Sequence, residues 1–449
     1  MLTTDTRTSP GRVVRPGDHD WDAARGAFNV LTDQRPQEIA FPADEREVAA
    51  VIAHARARGL RVAAQATGHN AAPLGSLEET LILNTSALTG MSIDAVSRRV
   101  RVGAATRWEQ VTPRLSELGL AALHGSSPKV GIVGYSLGGG IGWLARAYGM
   151  QANSVTAIEL VTAEGHLVRT DAVHEPDLFW ALRGGNGNFG VVTALEFEVY
   201  PVPELYAGAL FFPIERIAEV LHTWAELLPG LPEELMTWAN ALHFPPLPEL
   251  PDAFRGKSFA VVMAAFLGGE AEGRSLLRPV HALGPELDTF ALQPPVGLGE
   301  LAMDPPDPLP FRSAHLLLDE LPSALIEDAA AIGGPGSALT MVQLRHMGGA
   351  LARREPGAGA RATLPGEVCL FTLAVVPDRE AEPGVRSQLD ALTAAAAPYR
   401  AGQYPNFVED ESDARAFFDR ETWERLRRVK ALYDPQDIFK GNHHIPPAA

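Results

Sequence analysis

Three features of this sequence could carry chemistry: a serine in a nucleophile motif, a histidine in a loop, and two glycine-rich stretches. Residues 134–138 read GYSLG, which matches the G-x-S-x-G pattern of serine hydrolases. His69 stands between Gly68 and Asn70, just after a predicted strand. Residues 125–142 hold seven glycines in eighteen positions, and residues 183–192 repeat the signal. Glycine at this density weakens regular structure and brings backbone close to a ligand, so the loops predict a large phosphate-bearing or planar cofactor.

Three interpretations compete for residues 125–142. A nucleophile elbow at Ser136 needs a helix directly after the serine, and Gly138, Gly139 and Gly140 are poor helix formers. A serine hydrolase that takes its histidine from the C-terminal pair His443 and His444 stays open as an alternative. A dinucleotide loop needs G-x-G-x-x-G, but its third glycine is missing, and no P-loop occurs. The third interpretation is a flavin cradle, in which backbone N–H groups reach a pyrophosphate and a planar ring.

Charge and composition narrow the class of protein. The formal charge is −17, so we expect no nucleic-acid partner. The longest apolar run, residues 259–267, is far too short to span a bilayer and predicts a buried strand. The first twenty residues show no secretory signal, and the sequence predicts a cytoplasmic protein without a membrane anchor. Cys369 is the only cysteine, which excludes an internal disulfide and a cysteine cluster for zinc; we expect a buried side chain there, and no metal.

Predicted helices and strands alternate along the first 200 positions and surround these candidate residues. Asp44 with Glu47 has the form of a capping box and predicts a helix over 42–60. Further elements follow from periodicity and turn residues: strands at 61–69, 81–85 and 98–105, a helix at 108–118, a hairpin around 163–165, a short helix from 176 and a strand ending near 201. These residues together predict one α+β unit.

Composition then changes along the chain. Proline-rich loops at 244–251 and 304–310 separate longer apolar runs, and a helix is predicted near 411–431. We therefore expect three segments: 1–202 as one domain, 203–403 as a second domain, and 404–449 as a tail that returns to the first.

Four motifs in order resemble one known family. They are QATGHNAAPLG (65–75), GSSPKVGIVGYSLGGGIGWLARAYGM (125–150), PDLFWALRGGNGNFGVVT (176–193) and RLRRVKALYDPQDIFKGNHHIPP (425–447). The succession resembles the FAD-linked oxidases of the vanillyl-alcohol-oxidase superfamily, in particular the berberine-bridge-enzyme-like group. The resemblance implies an α+β fold of two domains: a PCMH-type FAD-binding domain and an α+β substrate domain with an antiparallel sheet.

The same resemblance implies how FAD is held. His69 matches the histidine that bonds covalently to the flavin 8α-methyl group. Ser127 stands where some members carry a second, cysteine tether, so a single attachment through His69 is expected. The other flavin-binding positions that it implies are Thr67, Gly68, Asn70, Gly125, Ser126, Ser127, Val130, Gly131, Gly134, Tyr135, Gly138, Gly139, Gly140, Gly142, Val155, Gly190, Val191, Val192 and Asn442.

Substrate oxidation needs a proton acceptor as well as the flavin. Tyr404, in QYPNF, matches a tyrosine of the family and is the first candidate for the catalytic base. A tyrosine has an ordinary pKa near 10, so a cation or a hydrogen-bond donor would have to lower it. Arg345 and His346 are further catalytic candidates; because strand residues alternate, at most one of them should face the pocket.

The resemblance finally implies a reaction. It indicates oxidation of a small alcohol, sugar or polyketide- or alkaloid-like natural product by hydride transfer to flavin N5, with O₂ as electron acceptor. A flavin-binding protein without turnover is the remaining alternative beside the serine hydrolase.

Overall fold

The computed structural model describes residues 10–449, which contain twenty strands and fourteen α-helices. The strands are β1 (Arg12–Val14), β2 (Glu38–Phe41), β3 (Arg61–Gln65), β4 (Thr80–Asn84), β5 (Met91–Asp94), β6 (Arg99–Gly103), β7 (Leu120–Ala121), β8 (Val155–Val161), β9 (Leu167–Asp171), β10 (Val191–Glu198), β11 (Tyr200–Pro201), β12 (Leu205–Pro213), β13 (Leu235–His243), β14 (Ser258–Phe266), β15 (Leu287–Asp288), β16 (Ala291–Gln293), β17 (Phe311–Leu318), β18 (Met341–His346), β19 (Val368–Val375) and β20 (Arg400–Gly402).

Most helices are short, and only six of them reach ten residues. They are α1 (Trp21–Ala24), α2 (Glu45–Ala57), α3 (Trp108–Glu117), α4 (Ile132–Leu137), α5 (Ala145–Tyr148), α6 (Gln151–Ser154), α7 (Pro176–Leu182), α8 (Ile217–Leu227), α9 (Glu270–Leu276), α10 (Arg278–His281), α11 (Leu298–Leu301), α12 (Ser323–Gly333), α13 (Glu382–Ala396) and α14 (Arg420–Tyr433). Short 3₁₀ helices lie at Ala72–Leu74, Ile214–Arg216, Leu228–Gly230, Pro295–Gly297, Gly349–Ala352, Ala397–Tyr399, Pro405–Phe407 and Ala414–Phe417.

Two sheets form the first part of the chain. One has four strands in the order β1-β2-β4-β3, with β2, β4 and β3 parallel. The other has five antiparallel strands in the order β5-β6-β10-β8-β9, and β8 and β9 form the predicted hairpin. Helix α2 begins as predicted, because the Asp44 carboxylate accepts the backbone N–H groups of Arg46 and Glu47. Both sheets share one apolar core with α2 and α3.

The second part of the chain is built on an antiparallel sheet of nine strands. Eight follow in the order β15-β12-β14-β13-β18-β19-β17-β20, and β16 pairs with β12. Helices α8, α12 and α13 cover one face of this sheet and bury its apolar side chains. The opposite face of β17, β18 and β19 is turned toward the first part of the chain. The predicted buried strand at 259–267 is confirmed as β14.

The tail returns to the first sheet. Val62 of β3 donates its N–H to Ile438 and accepts the N–H of Lys440. The fully buried Lys430 ammonium donates to the carbonyl of Phe439 at 3.1 Å and contacts the Asp434 carboxylate at 2.5 Å, which anchors this return. The helix predicted near 411–431 begins only at Arg420, because the Asp419 carboxylate caps it by accepting the N–H of Thr422.

Candidate active site

A cavity of about 310 Å³ lies between the loops of the first part and the open face of the nine-stranded sheet. This volume lies within the range of small-ligand sites, which is about 300–1,000 Å³. The structure brings fourteen of the sequence-predicted residues to its wall: Thr67, Gly68, His69, Asn70, Gly125, Ser126, Ser127, Val130, Gly131, Gly134, Tyr135, Arg345, Tyr404 and Asn442. Five separate segments of sequence therefore meet at one place.

His69 is held rigidly in the loop after β3. Its ring stacks on Phe28, with ring centroids 3.8 Å apart, and Nδ1 lies 2.7 Å from the Thr67 hydroxyl. Nε2 is buried without a hydrogen-bond partner in the described chain. Burial, together with the nearby Arg107, lowers the pKa of His69 to about 4, so the imidazole is neutral at physiological pH.

The loop around His69 is fixed to the tail. The Asn70 amide donates to the carbonyl of Pro405 at 3.3 Å, and the Asn442 amide donates to the carbonyl of Asn70. The Asn70 Oδ1 atom is buried and has no partner among residues 10–449. Gly134 lines the same cavity, and a Cβ atom there would find no protein atom within 4 Å. The cavity wall thus combines open space next to Gly134 with two unpartnered polar atoms, His69 Nε2 and Asn70 Oδ1.

Nine predicted site residues do not line the cavity: Gly138, Gly139, Gly140, Gly142, Val155, Gly190, Val191, Val192 and His346. The glycines in this set are closely packed against other protein atoms. A Cβ at Gly138 would come within 1.7 Å of Asn406 Oδ1, and one at Gly142 within 1.8 Å of the carbonyl oxygen of His124. A Cβ at Gly190 would come within 2.5 Å of Leu160. Most glycines between 138 and 142 therefore pack against protein atoms outside the residues that line the cavity.

The hydrolase interpretation of Ser136 is wrong. A nucleophile elbow puts the serine on an exposed turn between a strand and a helix. Ser136 is instead buried inside α4, and its hydroxyl donates to the carbonyl of Ile132 at 2.7 Å. Of the two candidate catalytic partners, His443 contacts the carbonyl oxygen of Pro405 through Nε2 at 2.9 Å, and His444 contacts the Asp437 carboxylate at 3.0 Å. This serine is therefore not available as a nucleophile.

Tyr404 is almost completely buried at the cavity wall. Its hydroxyl oxygen accepts the N–H of Gly140 at 2.7 Å and the amide of Asn406 at 2.8 Å. Arg361 and Arg345 lie nearby and also favour the phenolate. The two kinds of neighbour that would lower the pKa of this tyrosine, a cation and a hydrogen-bond donor, are both present. Burial nevertheless outweighs them and raises the pKa of Tyr404 well above its ordinary value near 10.

Arg345 and His346 point to opposite faces of β18, as strand alternation predicts. Arg345 faces the cavity, where its guanidinium lies 4.0 Å from the ring centre of Trp238 and 4.9 Å from that of Phe407. Its Nε donates to Gln343, and within residues 10–449 it forms no ion pair. Burial lowers its pKa. His346 instead contacts Arg146 at 2.8 Å, away from the cavity.

Several cavity residues were missed from the sequence. Asn406 lies two positions after Tyr404, and its proximity in the QYPNF segment was a usable signal. Asn186 lies in the glycine-rich stretch 183–192, which was a usable signal, whereas Asp304 lies in a proline-rich loop that does not mark a site in sequence. Glu409 also lines the cavity, and burial raises its pKa to about 7.

The residues present fit FAD. A flavin needs a long cradle with backbone approach and polar partners at fixed points. The wall supplies glycines at 125, 131 and 134, and the unpartnered polar atoms of His69 and Asn70. The opposite wall supplies apolar side chains from β17, β18 and β19. In the described part of the chain, no group of three or more His, Cys, Asp or Glu side chains is placed to hold a metal ion.

The chain is similar in sequence to known FAD-binding proteins. Residues 36–171 match the family model described as an FAD binding domain. (R)-6-hydroxynicotine oxidase of Paenarthrobacter nicotinovorans is 27% identical to this chain, over 97% of both lengths. Xylooligosaccharide oxidase of Thermothelomyces thermophilus is 25% identical, over 96% of this chain and 91% of its own.

Solved structures share the whole fold. The structure of 6-hydroxy-D-nicotine oxidase from Arthrobacter nicotinovorans superimposes with a TM-score of 0.83 and 23% identity, over all of both chains. Berberine bridge enzyme from Eschscholzia californica gives 0.81 and 18% identity, over 98% of this chain and 97% of its own. The predicted two-domain α+β fold with a PCMH-type FAD-binding part is confirmed. No helix within residues 10–449 is long and apolar enough to cross a lipid bilayer.

Proposed function

We propose that this chain, which matches an FAD binding domain and is similar to FAD-linked oxidases, is an FAD-dependent oxidoreductase of the vanillyl-alcohol-oxidase superfamily. It oxidises a small alcohol, sugar or natural product and passes the electrons to O₂. The observation that carries the proposal is the cavity itself, which His69, Tyr404 and Arg345 line together between the FAD-binding part and the open face of the nine-stranded sheet. Bound FAD supplies the hydride acceptor, N5 of its ring system.

We infer that His69 holds FAD covalently and alone. The ring is fixed by Phe28 and Thr67, and its depressed pKa keeps the imidazole neutral and therefore nucleophilic. Ser127, at the cavity wall, has a hydroxyl in place of the thiolate that a second tether would need. Cys369 is fully buried in β19 and is not among the residues that line the cavity.

Tyr404 is the proposed proton acceptor for the substrate. Two N–H donors fix its oxygen, and the charges of Arg345 and Arg361 favour the phenolate. Its raised pKa means that proton transfer has to be concerted with hydride departure, or that the rate increases toward alkaline pH. Arg345 is proposed to orient the substrate, since its terminal nitrogens have no hydrogen-bond partner among residues 10–449.

The similar proteins are named for chemically different substrates. One is named for a hydroxynicotine and another for xylooligosaccharides. Here the sheet side of the cavity presents Met341, Phe371 and Leu373 beside Arg345 and Asp304. Such a wall favours a small, partly apolar molecule with one polar end. The single buried cysteine is in keeping with a reducing cytoplasm, where we place the protein.

Acid precipitation tests the covalent linkage. The purified protein should give a yellow pellet, and His69→Ala should give a colourless pellet with yellow supernatant. His174→Ala, at an exposed histidine of the same domain, is the matched control and should keep a yellow pellet. A colourless wild-type pellet from yellow protein would refute the linkage.

Anaerobic reduction tests the reaction. Alcohols, sugars and phenolic natural products are mixed with the yellow protein without oxygen, and a substrate should bleach it. Admission of air should restore the colour and produce hydrogen peroxide. Failure of the whole panel to bleach a protein that dithionite does bleach would favour a flavin-binding protein without turnover.

A further inference from the structure

Glu409 is a cavity carboxylate to which the proposed reaction assigns no task. It lies five residues after Tyr404 and is half-buried at the cavity wall. Its Oε2 accepts the side-chain amide of Asn29 at 3.1 Å. Asn29 is itself fixed, because the same amide donates to the carbonyl of Phe311 at 3.0 Å and Oδ1 accepts the Phe311 N–H. The carboxylate therefore has a defined position.

Glu409 is also free of a strong counter-ion. Within residues 10–449 it forms no ion pair. The charged groups that face it are Asp410, which raises its pKa, and Arg312, which lowers it and is paired with Glu382. With burial as the main cause, its pKa is raised to about 7, so this side chain can take up a proton near neutral pH.

A short path of contacts joins Glu409 to His69. Asn29, which holds the carboxylate, directly follows Phe28 in the chain, and the Phe28 ring stacks on the His69 imidazole at 3.8 Å. Successive Cα atoms are only about 3.8 Å apart. Both Glu409 and His69 line the same cavity. A proton acceptor held by Asn29 and a neutral imidazole stacked on Phe28 thus lie on the wall of the same cavity.

Covalent attachment of FAD at His69 requires such an acceptor. A C–H bond of the ring methyl group must break and a C–N bond to the imidazole must form. The methyl carbon gives up one proton and the neutral imidazole gives up its ring proton. The two electrons released pass to dioxygen, which takes both protons and becomes hydrogen peroxide. The imidazole nitrogen that attacks the methyl carbon cannot also take up the methyl proton.

We propose that Glu409 accepts the proton of the flavin methyl group during this attachment, and that it is thus a residue for cofactor installation rather than for turnover. The proposal rests on the His69 linkage of the proposed function. The other acids and bases at the wall are placed less well. Tyr404 is already assigned to the substrate in the proposed function, and Asp304 lies beside Ser126 and Arg345.

Glu409→Gln tests the assignment through the amount of attached flavin. The variant is purified, incubated with FAD in air, and sampled over time; acid-precipitated protein is then assayed for yellow colour and for ultraviolet fluorescence of the denatured band. We expect Glu409→Gln to bind FAD reversibly and to attach it at least ten-fold more slowly than the wild type. Glu411→Gln, which removes an exposed carboxylate two positions further along the chain, should attach FAD at the wild-type rate.

A second variant covers the case in which glutamine disturbs FAD binding. Glu409→Ala leaves space for a small acid, and added formate should speed attachment in a concentration-dependent way. Equal rates for the wild type and Glu409→Gln, or no rescue of Glu409→Ala by formate, would overturn the assignment. A colourless pellet from the wild type would instead overturn the His69 linkage, so the two failures are distinguishable.

Discussion

The hydroxyl oxygen of Tyr404 accepts the backbone N–H of Gly140 over 2.7 Å. This bond joins the first residue of the tail to the glycine run of the first domain, across 264 positions of sequence. Gly140 has a φ of +83°, and a Cβ there would come within 2.5 Å of the Tyr135 ring, so no other residue places its N–H in this position without strain. The glycine run therefore contributes to the site by fixing the hydroxyl of Tyr404, the proposed base.

Tyr404→Phe should lower kcat by about 10²-fold or more, because positioned proton acceptors contribute about 10²–10⁴-fold to such reactions. The flavin content should be unchanged, since FAD is held elsewhere. Loss of the acceptor leaves the Gly140 N–H unsatisfied, which costs about 1–3 kcal/mol of stability. Steady-state kinetics on a substrate found by the bleaching screen checks this. Tyr433→Phe, at a tyrosine bonded to Glu175 outside the cavity, is the control and should keep full activity.

Arg345→Met should separate stability from activity. A buried cation without an ion pair is costly to fold, so a similar-sized apolar side chain between Trp238 and Phe407 should leave the melting temperature unchanged or raise it. The value of kcat/KM should fall at least ten-fold. Arg312→Met on the same sheet removes a surface ion pair with Glu382 and should leave kcat/KM unchanged. A stable Arg345→Met enzyme with wild-type kinetics would contradict the substrate-orienting role.

The sequence was most informative where a local pattern determines a local structure. The cap at Asp44 and the hairpin of β8 and β9 follow from short-range rules, and both are confirmed. His69 could be singled out because its neighbours and the other motifs occur in a fixed order. Alternation along β18 was enough to direct only one of Arg345 and His346 toward the cavity.

Residues brought in by tertiary contacts could not be found in this way. Glu409 acquires its properties from burial and from Asn29, which is 380 positions distant. Arg361 matters only because it packs beside Gly139 and Tyr404. The glycines at 138–142 look alike in sequence, yet most of them make room for protein atoms rather than for a ligand. Such distinctions depend on which surfaces meet in three dimensions.

Gly134→Ala should distinguish a cofactor wall from a packing position. Gly134 lies inside α4, where alanine is a better helix former by about 0.5–1 kcal/mol, and no protein atom opposes its Cβ. The flavin-free protein should therefore be as stable as the wild type or more so. Its FAD occupancy, measured as flavin absorbance per protein, should fall because the methyl group enters the cavity. Gly384→Ala, in α13 and equally unopposed, should raise stability without affecting FAD.

His315 should make the protein sensitive to acid. Its Nε2 accepts the N–H of Tyr404 at 2.8 Å, which requires the neutral ring, and burial is the main cause that lowers its pKa to about 3. The unfolded chain has the ordinary pKa near 6.5, so it binds more protons than the folded chain below that pH. The stabilisation is complete above about pH 6.5 and is lost progressively as the pH falls toward 3, by at most about 1.4 kcal/mol per pH unit.

Denaturant titrations at several pH values should therefore show a smaller loss of stability on acidification for His315→Gln than for the wild type. Glutamine offers an oxygen acceptor to Tyr404 but takes up no proton in this range. His174→Gln, at an exposed position, should follow the wild-type curve. If the unfolding midpoints of the wild type and His315→Gln decline in parallel from pH 7 to pH 4, His315 does not supply the acid sensitivity. The folded protein would then not depend on the neutral His315 ring that accepts the Tyr404 N–H.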